Sequence, residues 1–214
     1  MRVVIAGGHG QIARQLGRIL AAAEHEPVGM VRKPEHVEDL RSDGVEPVMI
    51  DLEDTDLEQM TSVVRGADAV VFAAGGGPDG NAARKETVDK GAAIMLADAA
   101  QAAGVRRYVM VSAMGTELAD PESDEVFHVY LRAKQAADDH VRAADLDWTI
   151  VRPGRLTDDP PTGRVELGEL QRGEVTRADV AQVLAAVLEA DNTVGATFDL
   201  LKGEVPVTEA VAAV

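Results

Sequence analysis

Along the chain, short runs of consecutive apolar residues alternate with longer segments whose apolar positions recur at helical spacing. "RVVIA" (2–6) precedes a helix beginning near Gly10, "PVGMV" (27–31) precedes "KPEHVEDLRSDG", and "EPVMID" (46–51) precedes "DLEQMTSVVRG". "ADAVVFAAG" (67–75) leads into a long Ala-rich helix over 82–103, and "RRYVMVSA" (106–113) into a helix over 124–144, followed by "DWTIVRP" (147–153). Strands that are apolar throughout and separated by helices belong to a parallel sheet covered on both faces. The pattern therefore predicts an α/β fold, a Rossmann-type doubly wound parallel sheet.

The rhythm changes after Pro153. "GRLTDDPPTGRVELGELQRGEV" (154–175) is rich in Gly, Pro and acids and reads as a loop with a short hairpin. A helix ("TRADVAQVLAAVLEA"), a strand ("ATFDLL") and a short terminal helix ("VTEAVAAV") follow. No internal repeat or low-complexity linker interrupts the chain. Its 214 residues suit one core. The expectation is a single domain over 1–214, with 154–214 forming a small C-terminal appendage on the substrate side.

Composition removes several classes of function. The absence of Cys excludes a disulfide framework, a thiolate metal site and a Cys nucleophile, and no metal site is expected. The formal net charge of −16 repels a phosphate backbone, and no local basic patch offsets it, so nucleic acid is not an expected partner. The acids fall in short clusters such as "DLEDTDLE" (51–58). They form either an ordinary solvated surface or one adapted to a salt-rich cytoplasm. No apolar segment is long enough to span a bilayer, and "MRVVIAGG" enters a strand and turn without a signal-peptide cleavage site. A cytoplasmic protein without a membrane partner is expected.

Candidate chemistry begins where the first strand ends. In "RVVIAGGHGQIARQL" (2–16), Gly7, Gly10 and Ala13 form a GxxGxxA pattern that opens the first helix. The first glycine permits a tight turn, the second lets backbone approach a pyrophosphate, and the small third residue lets helix pack on strand. The helix N-terminus, with Gln11 and Ile12 in its first turn, offers free N–H groups and a positive dipole to phosphates. His9, between these glycines, could touch a phosphate. After the second strand, "MVRKPE" places Arg32 and Lys33 where NAD would require a carboxylate for its ribose, which argues for NADP over NAD. The alternative is that both are surface charges opening a helix. Asp51 and Leu52, after the third strand, are placed to meet adenine, although Asp51 could equally cap its own loop.

These motifs occur in a set order with "AAG" (Ala73, Ala74, Gly75), Ser112, "YLRAK" from Tyr130 to Lys134, and "RPG" from Arg152 to Gly154. As a set they resemble the atypical branch of the short-chain dehydrogenase/reductase family, whose members are described as NAD(P)H-binding or epimerase/dehydratase-like. The resemblance covers essentially the whole chain. It implies a catalytic Ser112, a cofactor lying along Ala73, Ala74 and Gly75, and Pro153 and Gly154 passing near the nicotinamide. Tyr130 and Lys134 are four residues apart and share a helix face. The ammonium would stabilise a phenolate, letting Tyr130 exchange a proton with a substrate oxygen while Ser112 orients it. His128 would lie on another face, at the surface.

One position departs from the family pattern. Members with a full catalytic tetrad carry Asn on the helix after the fourth strand, and "KETVDKGA" matches it with Asp89. A carboxylate there would attract Lys134 and compete with the phenolate, unless Lys85, one turn earlier, neutralised it. The short C-terminal region predicts a small, shallow pocket lined by 75–81, Met114, Tyr130 and 155–162. There Arg155 would meet either an anionic substrate or Asp158 or Asp159. Two function classes follow. One is an NADP-dependent oxidoreductase acting on a small carbonyl, alcohol, quinone or flavin-like substrate. The other, resembling the NmrA-like redox sensors, binds NADP(H) without turnover; epimerase/dehydratase-like activity is a further alternative. The two long helices could pair two copies or pack on their own sheet, so both monomer and homodimer are compatible with the sequence.

Overall fold

The computed structural model describes residues 1–77 and 81–214. Among the described residues, nine strands form one sheet. In chain order its parallel members are β1 (Arg2–Ala6), β2 (Glu26–Val31), β3 (Glu46–Met49), β4 (Ala69–Phe72), β5 (Arg107–Val111), β6 (Asp147–Pro153) and β10 (Ala196–Lys202). They stand in the order β10-β6-β5-β4-β1-β2-β3, and β8 (Arg164–Gly168) and β11 (Val205–Pro206) extend the β10 edge in antiparallel sense. The order reverses between β1 and β4, creating the switch point at which open α/β sheets hold ligands beyond the carboxyl ends of their strands.

Alternate residues of each central strand enter opposite layers, which is why the runs are apolar without interruption. Val3 and Ile5 of β1, Ala69 and Val71 of β4, and Val109 and Val111 of β5 face one core. There they meet α1 (Gln11–Ala22) and α7 (Arg177–Leu188) through Leu16, Val180 and Leu184. Val4, Ala6, Val70, Phe72, Tyr108 and Met110 face the other core. That layer is closed by α3 (Leu57–Val64), α5 (Ala93–Ala103) and α6 (Val126–Ala143). A small third cluster joins α2 (Val37–Ser42) to the sheet through Leu40 and Val45.

The expected helix over 82–103 is three pieces: α4 (Ala82–Arg84), a π-helix over Lys85–Ala92, and α5. Wide i→i+5 turns are rare and frequently fall at functional sites, and nothing in side-chain spacing announces one. The expected hairpin within 154–175 does not form. β7 (Arg155–Thr157) pairs in parallel with β9 (Glu174–Thr176), while β8 leaves to join β10. Of residues 154–214, β8, β10 and β11 join the main sheet, β7 and β9 form a two-stranded sheet of their own, and α8 (Val207–Ala212) packs beside α7. Among the described residues, no helix is long and apolar enough to cross a membrane.

Candidate functional site

The glycine loop is a cradle formed by close backbone approach. Gly7 has φ +79°, and a Cβ there would lie 2.7 Å from Ala74 Cα on the neighbouring β4 loop. A Cβ on Gly8 would lie 2.7 Å from Gly29 Cα, and the Gly8 amide donates to Met30 O at 2.9 Å. The Gly10 amide closes the turn on Gly7 O at 2.8 Å. No side chain caps α1 and no acid occupies its first turn, so the amides at its positive end are left for solvent or an anion.

Two cavities flank this cradle and share Ala73, Ala74 and Gly75. The first, about 310 Å³, is lined by Gly7, Gly10, Arg32, Asp51, Leu52 and the ring of His36. The first five, singled out from the sequence, line this one cavity, and Glu53, Arg84 and His36, which the sequence did not single out, line it with them. Glu53 accepts from Arg32 Nη1 at 3.3 Å, Arg84 Nε at 3.1 Å and Thr87 Oγ1 at 2.7 Å. Glu53 thus sits between two guanidiniums, and with Asp51 the lining of the cavity sets two carboxylates against two arginines. Lys33 does not line it and pairs with Glu35 at 3.8 Å. Asp51 Oδ1 accepts the Glu53 amide at 3.0 Å, so it caps its loop while lining the cavity. His9 turns to Asp39, at 2.7 Å, and stacks on His36 with centroids 3.5 Å apart. Burial and the neighbouring His9 hold the His36 pKa below the usual histidine value.

The second cavity, about 790 Å³, is larger than the small pocket expected from the sequence. Gln11 and Ile12 reach it from α1, Ser112 from the end of β5, Tyr130 and Lys134 from α6, and Pro153 and Gly154 from the end of β6. Lys85 and Asp89 line it from the π-helix, and Leu156, Asp158 and Arg177 from the C-terminal region. Met114 lies instead on a separate cavity of about 500 Å³ behind Phe127. Of the expected rim over 75–81, residues 78–80 lie outside the described residues. Arg155 pairs with Glu174, while Asp158 takes Arg177 at 2.8 Å; the suggested Arg155 pairing with Asp158 or Asp159 does not form. His128 accepts the Asp120 amide at 3.0 Å.

The electrostatics differ from the expected Tyr–Lys couple. Lys134 donates to Val111 O at 3.0 Å and sits 3.4 Å from Asp89 Oδ1, both side chains being buried. The other Asp89 oxygen accepts the Gly76 amide at 2.9 Å. Lys85 does not neutralise Asp89; its Nζ donates to Gly77 O and lies 5.6 Å from the centroid of the Tyr130 ring. Among the described residues no hydrogen bond joins Tyr130 to Lys134 or Ser112. Burial first, then the negative charges of Asp89 and Asp138, push the Tyr130 phenol above its ordinary value.

Ser112 is also buried, and its Oγ has no hydrogen-bond partner of good geometry. Its hydroxyl nonetheless lies near enough to Asp138 to favour the ionised carboxyl, as do Nε and Nη2 of Arg152, at 3.0 and 2.8 Å from Oδ2. Burial outweighs both and raises the Asp138 pKa. Asp138 stands eight residues after Tyr130 on α6. That spacing was visible in the sequence, but its partner on β6 was not.

A glycine cradle at the switch point, with a cleft on either side, defines a dinucleotide-binding α/β protein, and the comparisons agree. The family model described as NAD(P)H-binding matches residues 7–191, and the chain belongs to that family. It is 35% identical over 213 residues to a Bacillus subtilis protein described as "Uncharacterized sugar epimerase YhfK", covering 99% of each chain. A solved Bacillus halodurans structure, described as a "Putative NAD-dependent epimerase/dehydratase", superposes with TM-score 0.93 at 37% identity, covering all of both chains. A Veillonella parvula short-chain dehydrogenase/reductase in complex with NADP shares the fold, with TM-score 0.73, 20% identity and 94% of each chain covered.

Proposed function

We propose that the protein is an NADP(H)-dependent oxidoreductase acting on a small carbonyl or alcohol, a quinone or a flavin-like substrate. The observation that carries this reading is the continuity of the groove. A cradle open to an anion joins, through Ala73 to Gly75, a cleft lined by Ser112, Tyr130 and Lys134. The glycine loop and first turn of α1, with Gln11 and Ile12, would hold the pyrophosphate. Asp51 and Leu52 would meet the adenosine, and Arg32 its 2′-phosphate, with Lys33 turned away to Glu35. Pro153 and Gly154 would border the nicotinamide. When bound, NADPH supplies hydride. Tyr130 holds the proton for the substrate oxygen, and Ser112, beside Asp138, orients that oxygen. Lys134 and Asp89 fix the floor of the cleft. The C-terminal region, 154–214, provides the substrate side through Leu156, Asp158 and Arg177.

The epimerase name of the relative is not carried over, because residues 154–214 are largely used in completing the sheet and its helices. One observation favours a second reading, an NADP(H)-binding redox sensor. Lys134 is committed to Asp89 and Val111 O, which leaves it little field to spend on Tyr130. Loss of reduced-nicotinamide absorbance with a panel of carbonyls, quinones and free flavin separates the two. Turnover lost in Tyr130→Phe with NADPH affinity retained supports the enzyme. Tight binding with no turnover on any substrate supports the sensor.

A further inference from the structure

Each charge facing the Tyr130 ring can be followed to its partner. From α6 come Lys134 and Asp138, from the π-helix Lys85 and Asp89, and from across the cleft the Arg177–Asp158 pair. Asp138 is met by Arg152, and Asp89 by Lys134. Lys85 is the exception. It is only 7% exposed, and its ammonium touches no carboxylate among the described residues. Its polar contact is Gly77 O, and its nearest aromatic face is Tyr130. Burying an ammonium without a counter-ion is costly, and a cation within about 6 Å of an aromatic ring stabilises negative charge developing there.

We propose that Lys85, rather than Lys134, is the cation that supports the Tyr130 phenolate, and so acts as a positioning residue for the acid/base step. The proposal rests on the oxidoreductase reading. In the reducing direction the Tyr130 O–H bond breaks and its proton passes to the substrate oxygen. The substrate carbon takes the hydride, with both its electrons, from the reduced nicotinamide, which leaves oxidised. The phenolate left behind faces Lys85 until water returns a proton. In the oxidising direction the same field favours the phenolate that removes the alcohol proton.

The test measures the phenol itself. Tyr130 is replaced by a trifluorotyrosine, whose phenol titrates well below that of tyrosine, so that ionisation can be followed by fluorine NMR while the fold persists. The titration is repeated with Lys85→Gln, which keeps a donor for Gly77 O, with Lys85→Arg, and with Lys134→Met. The expected result is a rise of about one pH unit or more with Lys85→Gln, recovery with Lys85→Arg, and a smaller rise with Lys134→Met. An unmoved titration in Lys85→Gln, or a larger rise in Lys134→Met, would overturn the proposal. A Lys85→Gln protein that fails to fold while Lys85→Arg folds and titrates unlike the parent also counts against it, since the role would then be structural. Turnover is not read, so failure to find any reductase substrate would defeat the functional reading while leaving this result to stand or fall alone.

Discussion

Replacing Asp89 by Ala removes one half of a pair whose side chains are 4% and 1% exposed and whose charged atoms are 3.4 Å apart. It leaves the Lys134 ammonium buried with Val111 O and the face of the Phe72 ring but no counter-charge, and the Gly76 amide without its acceptor. Taking one partner from a buried ion pair costs about 3–5 kcal/mol. For a chain of this length each kcal/mol lowers Tm by roughly 2–4 °C, so a fall of about 10 °C is expected. Asp89→Asn keeps an oxygen for Gly76 and should lose less. The Asp89→Ala/Lys134→Met double variant should recover part of the loss, because no unpaired charge remains. Urea unfolding followed by circular dichroism measures the parent, these three variants and Lys134→Met alone. A cost below about 1 kcal/mol for Asp89→Ala, or strict additivity in the double variant, would show that the pair does not organise the cleft.

Two other perturbations test separate parts of the structure. Asp179 is fully buried and accepts from the Thr162 and Gly163 amides and from the hydroxyls of Thr162 and Thr176; Asp179→Ala should lower stability by about 3 kcal/mol or more and loosen the C-terminal wall, read by urea unfolding and amide exchange at 162–164. For His36, the folded pKa lies below the unfolded value, so the unfolded chain takes the proton first as pH falls. Stability should therefore drop as pH passes downward through about 6.5, and His36→Gln should flatten that drop; parallel pH profiles for parent and variant would contradict this sign.

The sheet was legible because a strand covered on both faces must be apolar at every position, and "AVVF" and "RYVMV" satisfy that wherever they occur. The cradle was legible through Gly7 and Gly10, Gly7 standing where a side chain would meet the backbone of Ala74, whereas the approach of Gly8 to Gly29 was not read from the sequence. What escaped the sequence depends on distant segments meeting. A Cβ on Gly154 would lie 2.5 Å from Gly173 O, and this approach lets β7 and β9 run parallel; nothing local distinguishes that from a hairpin. Glu53 looked like one acid in a cluster until Arg32 and Arg84 converged on it. Lys85 and Asp89 are four apart and read as partners, yet each finds a better one. The β4 loop offers Gly77 O to Lys85, and α6 offers Lys134 to Asp89. The Tyr–Lys spacing was read correctly as one helix face, but a shared face does not fix where a flexible ammonium ends.

The central claim is that the groove holds NADP(H). Its most direct test is a fluorescence titration of the protein with NADPH and then NADH at one controlled ionic strength, because salt screens a phosphate contact. Tighter binding of NADPH is predicted, with the preference lost in Arg32→Ala while NADH binding is kept. If neither nucleotide binds, or if both bind equally and Arg32→Ala changes nothing, the assignment of the groove to NADP(H) is contradicted.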